Sequence, residues 1–192
     1  MIYIHGCKPG MECNGTKERK LMSGRSDNPT LRETFISADF MGKTALILSS
    51  WFGIGLAPKA PGTFGTLGAV PLAIVFSYFG FLYQGIAIIV IIPLALWSSE
   101  VSRKLLGRED PQVIVIDEVA GLLLAVFLFP LSLLSIILGF VLFRFFDILK
   151  PFPVRLIDQK VKGGLGIVLD DLMAGIYANL CLRIIFLVVI DN

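Results

Sequence analysis

Seven charged residues stand in short blocks between apolar stretches: Asp117 and Glu118, then Arg144, Asp147 and Lys150, then Asp170 and Asp171. Carboxylates gathered this densely repel one another unless a cation or basic group neutralises them. Hard divalent cations such as Mg2+ take carboxylate oxygens. An acidic pair at a helix start also serves as an ordinary cap and suits the positive end of the helix dipole, but two such pairs plus Asp147 exceed what capping requires. A carboxylate-bound Mg2+ flanked by Arg144 and Lys150 makes a phosphate site. Glu118, Asp147, Asp170 and Asp171 are accordingly read as Mg2+ ligands or catalytic acids and bases. Asp117 is read as a further ligand or a helix cap, and Arg144 and Lys150 as phosphate binders.

Arg144, Asp147 and Lys150 recur every third residue, so one helix presents them on a slowly rotating face. Pro151 and Pro153 then stop that helix. The plainer reading of this spacing is an intrahelical salt-bridge ladder. Gly163, Gly164 and Gly166 permit a tight turn ahead of Asp170-Asp171. Behind them Asp171, Gly175, Asn179 and Arg183 fall at four-residue spacing among small residues, which allows close helix packing. The run Ala60-Pro-Gly-Thr-Phe-Gly-Thr66 reads as a structured loop. It offers the Thr63 and Thr66 hydroxyls and the Gly62 and Gly65 amides; Thr63 is the phosphate-binding candidate among them, and no Gly-Lys-Ser/Thr follows to make a P-loop.

The elements that position these blocks are apolar. The chain has 192 residues, 55% hydrophobic, with a mean hydropathy of +0.80. No charge occurs from Ala60 to Ser99 or from Val119 to Phe143, and each run exceeds the roughly 20 residues a bilayer crossing needs. The net charge of +2 points to no nucleic acid. Three cysteines and one histidine, His5, support neither a zinc site nor a Cys/His nucleophile, so catalysis must run on carboxylates, Lys, Arg, hydroxyls and a metal. Residues 1–40 read as a polar, disordered tail and 41–192 as the membrane-embedded domain.

Within that domain Met41–Ile54 reads as a surface helix, and Leu67–Tyr83 with Gly85–Ser99 as a helical hairpin. Glu100–Gln112 reads as a polar connection whose positive charge prefers the cytoplasm. As one straight helix, 118–144 would hold Glu118 and Arg144 about 39 Å apart at 1.5 Å per residue, on opposite membrane faces. Pro130 lies near its middle, and two half-length helices folding back there would return both blocks to one face. The fold class is therefore all-α: a small polytopic membrane bundle with a hairpin and a re-entrant or Pro-broken third segment.

Four blocks carry a resemblance: Ala-Pro-Gly-Thr-x-Gly-Thr-Leu (60–67), Asp-Glu-x-x-Gly (117–121), Phe-Arg-x-Phe-Asp-Ile-x-Lys-Pro-x-Pro (143–153) and Gly-Gly-x-Gly-Ile-x-x-Asp-Asp-x-x-Ala-Gly (163–175). From about Phe52 to the C-terminus the chain resembles the phosphatidylglycerophosphatase A family. The resemblance implies an all-helical, Mg2+-dependent phosphatase of the bacterial inner membrane. Such an enzyme removes the terminal phosphate of phosphatidylglycerol phosphate in phospholipid synthesis. The phosphate would lie at the interface, with the active site on the cytoplasmic face and the acyl chains in the bilayer. Whether a carboxylate acts as general base or as nucleophile stays open. The alternative function is a small transporter or channel subunit with a carboxylate-lined ion site, and a structural protein anchored to head groups is a third.

Overall fold

The computed structural model describes residues 31–190. Among them eight helices form and no strand. Helices α1 (Leu31–Ser37) and α2 (Phe40–Ser49) come first, and Asp39 caps α2 by accepting from the Gly42 amide at 2.9 Å. Residues 1–30 of the expected tail lie outside the described residues; its last portion is helical instead.

The expected hairpin is α3 (Pro61–Phe79) and α4 (Phe81–Leu106), joined at Gly80 with φ +98°. The first helix begins before its expected start at Leu67 and ends at Phe79, short of Tyr83, while the second outruns Gly85–Ser99 at both ends. Pro61 takes the first position of α3, where its missing N–H is of no consequence, and Thr66 Oγ1 donates back to Gly62 O at 2.8 Å. The Pro-Gly run is thus the first two turns of a helix and not a loop. Likewise α4 continues through the polar stretch because Glu100 pairs along the helix with Arg103 and Lys104 at 2.6 and 2.8 Å.

The third apolar run folds back as anticipated. Helix α5 (Ile116–Ala125) and α6 (Leu133–Leu149) are separate, with Pro130 in the turn between them. Backbone carbonyls released in an apolar setting need partners, at several kcal/mol each when they lack one. Asn179 Nδ2 donates to the carbonyls of Leu124, Ala125 and Phe127 at 3.2, 3.0 and 2.9 Å. Gln84 accepts from Leu128 N at 2.8 Å and donates to Phe129 O at 3.3 Å. Ser132 caps α6 by accepting from Ser135 N at 3.0 Å.

Helix α7 (Val154–Lys160) leads to α8 (Gly164–Ile185), which ends in a π-helical turn, Phe186–Ile190. At the centre stands α5, buried on every side through Ile116, Val119, Ala120, Leu122, Leu123 and Ala125. It packs most heavily on α8. There a Cβ on Gly175 would lie 2.5 Å from the Gly121 carbonyl, so the two backbones nearly touch. The four-residue face of Asp171, Gly175, Asn179 and Arg183 is the interior of the bundle.

Helices α3 and α4 and the stretch Gly164–Val188 are long and apolar enough to cross a bilayer. Their outer faces carry exposed Val75, Tyr78, Ile89, Val90 and Ile184. The chain is a membrane protein, with α5, ten residues long and rising about 15 Å, too short to cross alone.

Candidate active site

A cavity of about 520 Å³ opens where α3, α5 and α8 begin and α6 ends. Asp117 and Glu118 enter it from the first turn of α5, whose N-cap is Val115. Asp170 and Asp171 enter from the second turn of α8, which begins at Gly164. The capping reading of both acidic pairs therefore fails, because neither pair occupies a cap position.

One carboxylate oxygen from each of Asp117, Glu118 and Asp171 lies within 4.8 Å of the other two. Asp117 and Asp171 are buried, and the Glu118 side chain is 12% exposed. Repulsion between two such charges is on the order of 3 kcal/mol at an effective dielectric of 20. Asp117 Oδ1 and Glu118 Oε2 are buried and accept no hydrogen bond. Crowded hard oxygens with free lone pairs are the donor set of a Mg2+-type cation, and Asp117, Glu118 and Asp171 are the residues that could hold one. Asp147 adds a fourth charge beside Asp171.

Cations come from α6. Arg144 Nη1 lies 2.6 Å from Asp147 Oδ2 and 4.0 Å from Glu118 Oε1. The closer approach is an ion pair, and Arg144 Nε is buried without a hydrogen-bond partner. Lys150 is the C-cap of α6 at φ +44°, and its Nζ lies 2.6 Å from Asp170 Oδ2. The salt-bridge ladder is thus half right: Arg144–Asp147 is intrahelical, whereas Lys150 crosses to α8. Asp170 Oδ1 also accepts from the Asp171 amide at 3.1 Å.

The start of α3 closes one wall with Ala60, Pro61 and Gly62. A Cβ at Gly62 would collide with Glu118 Oε1 and crowd the Arg144 guanidinium. Thr63 is exposed and does not line the cavity. Its amide donates to Ala60 O at 3.0 Å. The structure therefore gathers Asp117, Glu118, Arg144, Asp147, Lys150, Asp170 and Asp171, and leaves Thr63 outside.

Sequence reading missed the outer wall, formed by Glu109, Asp110, Gln112, Gln159 and Lys162. These lie in unpatterned polar segments, where periodicity carries no signal. Lys162 Nζ meets Glu109 Oε2 at 2.8 Å across the mouth, with side chains 69% and 74% exposed. The lysine holds the Glu109 carboxyl below its ordinary range.

Comparison with known proteins agrees with this architecture. The family described as phosphatidylglycerophosphatase A matches residues 47–186. A phosphatidylglycerophosphatase A of Haemophilus influenzae is 39% identical over 134 residues, 69% of this chain and 82% of that one. That of Escherichia coli is 33% identical over 131 residues, 68% and 76% of the two chains. A putative phosphatidylinositol-3-phosphatase of Bacteroides thetaiotaomicron is 32% identical over 147 residues, 72% and 91%. No solved structure matches the chain. All three charged blocks and the 60–67 run fall inside the matched region, and the protein belongs to the phosphatidylglycerophosphatase A family of phosphatases.

Proposed function

We propose that the chain hydrolyses the terminal phosphomonoester of phosphatidylglycerol phosphate, in a Mg2+-dependent reaction that yields phosphatidylglycerol and inorganic phosphate for phospholipid synthesis. The observation that supports it most is the convergence, at one end of the membrane helices, of the three-carboxylate cluster and the Arg144 guanidinium, whose Nε is buried without a hydrogen-bond partner. A lipid phosphomonoester places its acyl chains along the apolar helices and its charged head in such a cavity.

Asp117, Glu118 and Asp171 would hold the Mg2+, with Asp170 supporting Asp171 from the neighbouring position. When bound, the ion supplies Lewis-acid polarisation of a phosphoryl oxygen and lowers the pKa of water. Arg144, oriented by its ion pair with Asp147, donates guanidinium N–H groups to the non-bridging oxygens as negative charge builds there. Asp147 lies outside the three-carboxylate cluster and takes a proton from the attacking water at its carboxylate. Water oxygen bonds to phosphorus as the ester P–O bond breaks, and the proton passes to the departing glycerol oxygen. Lys150 fixes Asp170 and leaves the phosphate to Arg144.

The site end carries Lys59, Arg103, Lys104, Arg108, Lys150, Arg155, Lys160 and Lys162, whereas the two distal turns, 77–86 and 126–132, carry no Lys or Arg. Positive charge favours the cytoplasm, which supports a site on the cytoplasmic face of a bacterial inner membrane.

The test is phosphate release in detergent from phosphatidylglycerol phosphate and from phosphatidylinositol 3-phosphate, with EDTA and with Mg2+ restored. Release from the first lipid, abolished by EDTA and recovered with Mg2+, is the expected result. Faster release from the inositol lipid would reassign the substrate. Release from neither would return the carboxylates to the ion-path reading.

A further inference from the structure

Glu100 lies outside the cavity, on α4, yet its carboxylate takes four donors. Arg103 Nε and Nη2 reach it at 2.6 and 2.8 Å, Lys104 Nζ at 2.8 Å and the Gly164 amide at 2.8 Å. Three of these donors belong to its own helix and neutralise its charge. The fourth is the first residue of α8. Backbone contact reinforces the bond: a Cβ on Gly164 would lie 2.6 Å from the Glu100 amide nitrogen and 2.8 Å from its Cα.

Gly164 and Asp171 are seven residues apart, two turns or about 10 Å along one helix face. Whatever fixes the phase and height of α8 at Gly164 therefore fixes Asp171. The same stripe is held beyond Asp171 by the Gly121–Gly175 contact. A misplacement of about 1 Å at a reacting centre costs on the order of a hundredfold in rate, so the anchor at Gly164 has a catalytic consequence.

We infer that Glu100 is a positioning residue: it locks the start of α8 onto α4 so that Asp171 stays in register with Asp117 and Glu118. The inference rests on the proposed metal-dependent reading of that cluster. Its test uses the full chain in detergent, with Mn2+ binding followed by electron paramagnetic resonance in the absence of substrate, alongside kcat, KM and the thermal midpoint. Glu100→Ala is expected to weaken Mn2+ binding at least about tenfold and lower kcat by a similar factor, with KM within about twofold. Glu100→Gln, whose amide oxygen still accepts from Gly164, is expected to restore both to within about threefold. Gly164→Ala keeps every charged group and pushes α8 off α4; it is expected to match Glu100→Ala, and it decides the matter if Glu100→Ala does not fold. Ser49→Ala removes the buried Ser49–Ser102 hydroxyl contact of 2.8 Å and serves as the control that loses thermal stability while keeping Mn2+ affinity. Variants at Glu100 and Gly164 that bind Mn2+ and turn over like the wild type, whatever their midpoints, would overturn the inference. Absence of Mn2+ binding by the wild type would instead overturn the metal reading beneath it.

Discussion

Asp171 stands within 4.8 Å of two other carboxylates in a buried site, and that crowding acts in opposite directions on chemistry and on stability. Its charge is needed if the cluster is to hold a divalent cation, yet without the cation the same charge repels Asp117 and Glu118. Asp171→Asn is expected to lower Mg2+-dependent phosphate release by at least about a hundredfold, because the Lewis-acid contribution of a bound ion is worth several kcal/mol. In EDTA the same variant is expected to gain about 1–3 kcal/mol, because one member of a like-charge cluster is removed. Phosphate release and thermal unfolding in detergent check the two halves separately; a variant both active and less stable would contradict both assignments. Arg144 tests geometry against charge. Lysine keeps the positive charge beside Asp147 and Glu118 but loses the planar fork, so Arg144→Lys is expected to lower kcat/KM about a hundredfold. Wild-type kinetics for that variant would reduce Arg144 to a counter-charge.

The fold-back of α5 and α6 shows which elements a sequence discloses. Two charged blocks separated by an uncharged run with Pro130 inside it could share a site only if the run reversed, and Glu118 and Arg144 do meet. Hydropathy and charge are long-range in sequence and survive without any alignment. The start of α3 was hidden because Pro and Gly at a helix N-terminus look like loop residues. The Glu100–Gly164 contact was hidden because nothing local marks two residues 64 apart as partners. Thr63 lies exposed outside the cavity, and the wall is made by its neighbour Gly62, whose lack of a side chain admits Glu118. The turn itself depends on Asn179, three of whose contacts are carbonyls of one reversal. Asn179→Ala would strand those carbonyls in an apolar setting and free Arg183 Nε, which now donates to Asn179 Oδ1 at 2.9 Å. A loss of about 1–3 kcal/mol is expected, measured by denaturant titration in detergent micelles. Because α5 also carries Asp117 and Glu118, activity should fall with stability in that variant. Unchanged stability would mean that water or lipid head groups replace the asparagine.

At the scale of the whole molecule, the separation of charge decides how the chain sits in a membrane. The cavity, the C-terminal end of α4 and the short α7 share one end, where the basic residues gather. Gly80 and the α5–α6 turn share the other, tied together by Gln84. Among the described residues, helices α3 and α4 run out and back between these ends, α5 and α6 do the same within a shorter path, and α8 runs out without a returning helix. That path predicts two outcomes in a bilayer: the site faces the side on which α3 begins, and residue 188 emerges on the opposite side. Single cysteines placed in a background lacking Cys7, Cys13 and Cys181 read this directly with a membrane-impermeant maleimide. Cysteines at Lys59, Arg108 and Lys160 are expected to react from the cytoplasmic face, and those at Tyr78 and Leu131 from the other. Labelling of Lys59→Cys and Lys160→Cys from opposite faces would break the fold-back, since α7 would then lie across the membrane from the start of α3. Labelling of all five from one face would remove the crossings of α3 and α4. The expected pattern leaves a single geometry in which Arg144 and three carboxylates share one aqueous mouth while every long helix stays in lipid.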